Sequence, residues 1–368
     1  MKVKFITLGC KTNYYESQAM SELFRAAGYS VADKDEAADV YVINTCTVTN
    51  VGAQKSRQMI RKCRKENPGA AVAAVGCYVQ VAEAEAASVG ADILIGTEQK
   101  KDIVKLVTAW TRSNPPDVRR DDCLRPLRDI AEYEEIARTE TQTRRRANVK
   151  IEDGCNNFCA YCIIPYARGR VRSRKLNSIA EEVEALAGNG FSLFVLTGIH
   201  IASYGLDLDE DISLIDVIEC VSGIAGVKKI QLGSLEPIIV TGGFARRLAK
   251  LPNILPQFHL SLQSGCDATL RRMNRRYTAE EYRQAVELLR THIPGAAVTT
   301  DVIVGFPGET DDDFEKSYEF CREIGFKKIH VFKYSKMAGT AAAAMDGQID
   351  ERIKNERSKK LIELGGTA

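Results

Sequence analysis

A chain of 368 residues exceeds one average domain, and 45% hydrophobic with 27% charged residues places it among ordinary soluble globular proteins, most simply of two domains. Fifty-one Lys and Arg against forty-nine Asp and Glu give a net charge of +2, which neither calls for a polyanionic partner nor excludes one. No apolar run approaches the ~20 residues that span a bilayer, and the stretch before Lys11 is too short for a signal peptide. A cytoplasmic protein with no membrane partner is therefore expected, and its eleven cysteines read as reduced thiols for metal or catalysis, not as a disulfide framework.

Residues 1–112 alternate short apolar runs with amphipathic stretches, the pattern of a parallel sheet covered by helices. The runs are Val3 to Leu8, Ala38 to Asn44, Ala70 to Gly76 and Ala91 to Gly96. Helices are expected at Tyr14 to Ala27, Val51 to Glu66, Val79 to Ser88 and Glu98 to Trp110, which makes four βα units of a Rossmann-like domain. Three of the runs close on a cysteine: FITLGC on Cys10, VYVINTC on Cys46 and AVAAVGC on Cys77. The carboxyl ends of parallel strands form the edge where open α/β sheets bind ligands. Neighbouring strands lie about 4.8 Å apart, so three thiolates at equivalent strand ends can reach one shared site. Burial as small packing residues would suit any one of these cysteines better than it suits all three.

Periodicity fades over residues 113–143, where Pro115 adjoins Pro116 and DVRRDD follows; this segment reads as a linker. From 144 to 349 the alternation resumes, with strands at Asn148 to Ile151, Ser192 to Thr197, Lys228 to Leu232, Gln257 to Leu262, Val298 to Val304 and Lys328 to Phe332. Helices between them include Ser178 to Ala187, Ala279 to Thr291 and Asp312 to Glu323. Six units fall short of the eight of a closed TIM barrel. A partial (βα)6 barrel is expected, followed by a charged helix within residues 350–368.

Just after the first barrel strand stands GCNNFCAYCIIPYARGR, which spaces Cys155, Cys159 and Cys162 as C-x3-C-x2-C. Thiolates this close within a loop converge on a soft metal centre, and three of them leave one iron of a four-iron cluster open. An apolar helical stripe is disfavoured by Gly154, the Asn156-Asn157 pair and Pro165. Structural zinc would want a fourth protein ligand, and no nearby His supplies one. Cys63, Cys123, Cys220, Cys266 and Cys321 have no convergent spacing and read as packing residues, Cys266 least clearly because it follows a strand at the same barrel end.

Three basic groups stand out. Arg57, Arg61 and Arg64 recur at helical spacing; Arg168, Arg170, Arg172 and Arg174 recur with period two, which on an extended segment puts all four on one side. Arg271, Arg272, Arg275 and Arg276 form the third. Charged runs are commonly just solvated faces, but two of these lie beside cysteine motifs, where the phosphates of a nucleic acid would be drawn in. An arginine in the cleft could instead hold a carboxylate.

The C-x3-C-x2-C run with Tyr161 resembles the signature of radical S-adenosylmethionine (SAM) enzymes, and TLGCKTNYYES, VINTCTVTN and VGCYVQ resemble the amino-terminal domain of radical SAM methylthiotransferases. TGIHIASYG, LGSLEP, LSLQSGCDATLRRMNRRYT and DVIVGFPGET resemble further stretches of that family, in its order, so the resemblance spans nearly the whole chain. It implies a [4Fe-4S] cluster on Cys155, Cys159 and Cys162 whose open iron takes SAM, with Tyr161, Gly198 and Glu236 as SAM contacts. It also implies an auxiliary [4Fe-4S] cluster on Cys10, Cys46 and Cys77, an electron donor such as a flavodoxin or ferredoxin, and a sulfur donor; no side-chain acid or base is assigned.

TCTVTNVGAQKSRQMIR resembles the branch that puts a methylthio group on C2 of N6-threonylcarbamoyladenosine at position 37 of tRNA, which makes the arginines of the first two groups candidate RNA contacts. The branches acting on isopentenyladenosine in tRNA or on an aspartate of a ribosomal protein are the nearest alternatives. A non-catalytic iron-sulfur module that binds RNA is the alternative of another class. Family members usually continue into a small RNA-binding β-barrel, the TRAM domain; the resemblance stops short of it at Ala368, so either a shortened form or RNA binding on other surfaces is expected.

Overall fold

The computed structural model describes residues 1–33, 35–112, 127, 130–136 and 146–365. Most of the expected linker at 113–143, with Cys123, lies outside the described residues. Among the described residues no helix is long and apolar enough to cross a membrane.

The first part of the chain runs β1 (Lys2–Thr7), α1 (Lys11–Ala26), β2 (Ser30–Val31), β3 (Val40–Thr45), α2 (Asn50–Glu66), β4 (Ala71–Gly76), α3 (Cys77–Val81), α4 (Glu83–Ser88), β5 (Ile93–Ile95) and α5 (Ile103–Arg112). Its strands form one parallel sheet in the order β2-β1-β3-β4-β5. Five strands stand where four are expected, because Ser30 and Val31 join the edge over two residues, too few to carry a periodic signal. β3 and β4 are buried along their whole length, as parallel strands covered on both faces are. Met20 and Phe24 of α1 and Ile103 and Val107 of α5 close one face; Ile60 and Cys63 of α2 and Tyr78 of α3 close the other. The helix expected over Val79 to Ser88 is two, since Ala82 leaves the helical region at φ −143° and ψ 48°. The strand order reverses between β1 and β3, and such a switch point opens a crevice beyond the strand ends.

The second part runs β6 (Arg146–Lys150), β7 (Glu152–Asp153), α6 (Ile164–Arg168), β8 (Arg172–Ser173), α7 (Leu176–Gly188), β9 (Leu193–Thr197), α8 (Leu214–Ser222), β10 (Lys229–Leu232), β11 (Ser234–Leu235), α9 (Gly242–Leu248), β12 (Gln257–Leu260), α10 (Asp267–Arg272), α11 (Ala279–His292), β13 (Ala297–Val304), α12 (Asp311–Ile324), β14 (Lys328–Lys333) and α13 (Glu351–Gly365). Six strands lie parallel in chain order: β6-β9-β10, then β12-β13-β14. Ile230 joins the halves, its amide donating to the Asn253 carbonyl and its own carbonyl accepting from Leu255, both at 2.8 Å. This is the expected partial barrel. Among the described residues no ladder links β14 to β6, and α13 packs along β14 with Leu361 fully buried.

The two parts meet through polar side chains. Tyr15 of α1 donates to Glu182 of α7 at 3.1 Å, and Thr97 donates to the Ala167 carbonyl at 2.9 Å. Glu16 accepts from Lys150 at 2.9 Å and Arg168 at 2.8 Å.

One glycine fixes the entry to the cysteine loop. Gly154 has φ +82°, and a Cβ there would lie 1.9 Å from the Arg170 carbonyl oxygen. Gly295 has a similar φ of +76° with nothing within 4 Å. Gly295→Ala should therefore cost only the left-handed penalty, about 1–2 kcal/mol, whereas Gly154→Ala should cost more than about 4 kcal/mol or prevent folding. Denaturant unfolding of the two variants checks this, and equal losses would contradict it.

Candidate active site

β1, β3 and β4 are neighbours whose ends align, Thr7 beside Asn44 and Thr45 beside Gly76. Cys10 caps α1 just beyond β1, Cys46 follows β3, and Cys77 opens α3 directly after β4. Close approach dictates the residue before Cys10: a Cβ on Gly9, at φ +97°, would sit 2.9 Å from the Cys46 sulfur. Asn13 ties the two loops together, its amide donating to the carbonyls of Leu8 at 2.7 Å and Thr45 at 2.9 Å. Ser56 clamps Cys46, accepting from its N–H at 3.1 Å and donating to its carbonyl at 2.9 Å. Burial pushes the Cys77 thiol up to about 11, against the pull of Arg168, whose Nε donates to Cys77 Sγ at 3.2 Å from the other domain.

Cys155, Cys159 and Cys162 lie in the loop from β7 to α6, and Pro165 in the first turn of α6 starts a helix only after the last of them. Phe158 sits at φ +47°, held there by Asn274, which donates to its carbonyl at 3.0 Å. The Asn157 backbone N–H donates to Cys155 Sγ at 3.5 Å, and Arg275 donates to Cys159 Sγ at 3.1 Å. Burial pushes the Cys155 and Cys162 thiols up to about 12.

These cysteines line a recess with Tyr161, His200, Glu236 and Arg275. Burial alone would raise the Glu236 carboxyl. His200 at 2.9 Å and Arg275 at 2.6 Å instead hold it at about 2, so it stays ionised. Gly198 is not among the lining residues. A Cβ on it would meet Glu152 Oε2 at 2.7 Å, and Glu152 accepts from the amides of Ile199 and His200 at 2.9 and 2.7 Å. Gly198 thus serves the turn that presents His200. An adjoining recess of about 230 Å³ shares Tyr161, Cys162, Ile164 and Gln263 with the first and is walled on its far side by Val48 and Thr49, two and three residues beyond Cys46. The second recess thus runs from Cys162 to the loop that follows Cys46.

Both donor sets suit iron-sulfur clusters, which take cysteine thiolates whose properties are tuned by hydrogen bonds to sulfur. Each triad has an arginine N–H on one of its sulfurs, and glycine leaves room beside Cys46. Among the described residues no three His, Cys, Asp or Glu side chains close on a single ion, whereas a cluster spreads its ligands over separate irons.

The period-two arginines are not one exposed side. Arg168 ends the helix α6, which breaks the extended register, and Arg168, Arg172 and Arg174 are buried. Arg172 binds Glu98 at 2.6 Å, and Arg174 binds Glu135 at 2.8 Å and also Glu182. Arg168 and Arg172 tie the barrel to the first domain, Arg174 ties it to Glu135 and to its own α7, and all three are unavailable to RNA; of the four Arg170 is exposed, its guanidinium 5.7 Å over the Phe158 ring. In the α2 group, Arg57 pairs with Glu85 at 3.4 Å, Arg64 bonds the Pro68 and Ala70 carbonyls and Asp92, and Arg61 is exposed. Cys266 points to Asp313 at 3.3 Å. His200, Asn157 and Arg275 join the site unforeseen. For Arg275 the available signal was its place after the fourth barrel strand, hidden among three other arginines.

Residues 149–321 match the Radical SAM superfamily, and residues 2–96 match the uncharacterized protein family UPF0004. The chain is 41% identical over 364 residues to threonylcarbamoyladenosine tRNA methylthiotransferase MtaB of Bacillus subtilis, covering 98% of this chain and 80% of that one. It belongs to the radical SAM methylthiotransferase family. The tRNA-2-methylthio-N(6)-dimethylallyladenosine synthase of Moorella thermoacetica is 36% identical, covering 98% of this chain and 82% of that one. A solved structure of the radical SAM methyltransferase TsrM from Kitasatospora setae superposes with a TM-score of 0.67 over 90% of this methylthiotransferase and 72% of TsrM, at 14% identity, which shows a shared fold. Family membership makes the chain an enzyme that uses a [4Fe-4S] cluster and SAM.

Arg275 and Glu236 are nearly buried, so neither charge tolerates the loss of the other. Arg275→Met should destabilise the metal-free protein by about 3–5 kcal/mol, and adding Glu236→Gln should recover a large part of that loss. Urea unfolding of the two single variants and the double variant measures the coupling; strictly additive losses would contradict it.

Proposed function

We propose that this methylthiotransferase acts in the cytoplasm on tRNA, placing a methylthio group on C2 of N6-threonylcarbamoyladenosine at position 37. The observation that carries the reading is the recess lined by Tyr161 and Cys162 of one domain and by Val48 and Thr49, just beyond Cys46, of the other, because a base seated there would touch the loops of both thiol triads. The greater identity to the threonylcarbamoyladenosine relative, 41% against 36% for the dimethylallyladenosine relative, supports that substrate.

Two [4Fe-4S] clusters and SAM, when bound, supply the electron transfer, the radical and the sulfur and methyl groups of the reaction. Cys155, Cys159 and Cys162 hold one cluster; Cys10, Cys46 and Cys77 hold the other. Glu236, kept ionised, offers a carboxylate to the SAM amino group, and Arg275 offers a cation to its carboxylate. Tyr161 packs between the two recesses. Ile303 and Tyr334, with Val48, line the adjoining recess and offer it largely apolar walls.

In the cysteine loop and α6, Phe158 and Tyr166 are exposed, stand edge-on to each other at 5.8 Å and carry Arg170 above Phe158. Unpaired RNA bases are recognised by stacking on aromatic rings and guanidinium planes, so this corner and Arg61 are the proposed contacts for an anticodon loop. A flavodoxin or ferredoxin class protein is the proposed electron donor, and a sulfur donor completes the reaction.

The test uses two triple variants reconstituted without oxygen. The parent should hold about eight irons, and each triple Cys→Ala variant about four, one cluster per triad. With SAM and reductant, the Cys10, Cys46 and Cys77 variant should still release 5′-deoxyadenosine but form no methylthio product, while the Cys155, Cys159 and Cys162 variant should do neither. Product from the first variant would remove those three cysteines from the reaction.

A further inference from the structure

We propose that Arg168, supplied by the radical SAM domain, sets the reduction potential of the cluster on Cys10, Cys46 and Cys77 in the other domain. This rests on the reading that those cysteines hold a cluster. Its guanidinium is fully buried and every N–H is used. Nε donates to Cys77 Sγ at 3.2 Å, Nη2 to Asn13 Oδ1 at 2.8 Å, and Nη1 to Glu16 at 2.8 Å and Asp153 at 2.9 Å. Asn13 Oδ1 in turn lies 3.7 Å from Cys10 Sγ, which links the guanidinium to a second thiol through one side chain.

Arg168 sits within a network of buried charges. Lys100, Lys150, Arg168 and Arg172 are buried cations in contact with three carboxylates, Glu16, Asp153 and Glu98. Arg174 is matched separately by Glu182 and Glu135. The next acid, Glu134, is pushed up to about 7 by burial. Five cations thus meet five carboxylates, and among them Arg168 is the one whose N–H points at a sulfur of the triad. A four-iron core of formal charge two plus with three thiolates carries one net negative charge, and one electron from a low-potential donor makes it two. Net charge and hydrogen bonds to sulfur are the protein's means of shifting such potentials. A buried cation at 3.2 Å favours the reduced, more negative state. Arg168 is thus a positioning residue for charge, linking the state of one domain's cluster to the docking of the other domain.

The experiment is a potentiometric titration followed by electron paramagnetic resonance, on full-length protein in which Cys155, Cys159 and Cys162 are Ala so that one cluster remains. Arg168→Gln should lower the equilibrium constant for one-electron reduction at least tenfold, a shift of 59 mV to more negative potential. Arg168→Lys keeps the charge and should recover most of the shift. Glu16→Gln removes a carboxylate from the same guanidinium and should move the potential the opposite way, which keeps the inference testable if Arg168→Gln does not fold. Variants that retain four irons with an unchanged potential would overturn the role of Arg168. A parent without iron would overturn the cluster assignment itself, and the inference with it.

Discussion

Glu16 and Asp153 share the buried guanidinium of Arg168, and the placement of both thiol triads depends on that contact. Glu16 lies on α1, whose first residue follows Cys10; Asp153 immediately precedes Gly154 and Cys155; Arg168 closes the helix that follows Cys162. Burial alone would raise the Glu16 carboxyl, yet Arg168, Lys100 and Lys150 hold it far below the ordinary carboxylate range. Such pairs add little net stability because desolvation offsets attraction, but breaking one leaves an uncompensated buried charge. The interface therefore tolerates one registration of the domains and penalises others, and that registration brings Cys77 against the arginine of its neighbour.

The open barrel and the switch point of the doubly wound sheet each present a ligand-binding edge. Joined through this charge cluster, the two edges bound one recess, with Tyr161 and Cys162 on one wall and Val48 and Thr49 on the other. Each triad keeps a cationic N–H on one sulfur, Arg168 on Cys77 and Arg275 on Cys159. The two arginines differ in origin: Arg275 belongs to the same domain as its triad, whereas Arg168 crosses the interface.

Much of the fold was legible in the sequence, because long buried strands such as VYVINT and AVAAVG and the C-x3-C-x2-C spacing carry strong local patterns. β2 was not, since two residues have no period, and the break at Ala82 within an apolar helix leaves no composition signal. The arginines show where pattern misleads. Period two in YARGRVRSRK implied an exposed strand, but a five-residue helix ends at Arg168, and partners far away in sequence, Glu16, Glu98 and Glu135, draw three of the four arginines inward. A charge run looks alike whether water or a distant carboxylate answers it. The same holds for Arg275, which only three-dimensional proximity to Glu236 and Cys159 separates from Arg271 and Arg276.

The claim that both triads serve one modification of tRNA is tested most directly by mass spectrometry of tRNA nucleosides. The comparison is between cells lacking the gene and the same cells carrying either the intact gene or its Cys46→Ala form. The 2-methylthio derivative of N6-threonylcarbamoyladenosine should vanish on deletion, with its precursor accumulating, and return only with the intact gene. Unchanged levels of that nucleoside on deletion, or its full return with Cys46→Ala, would contradict the claim.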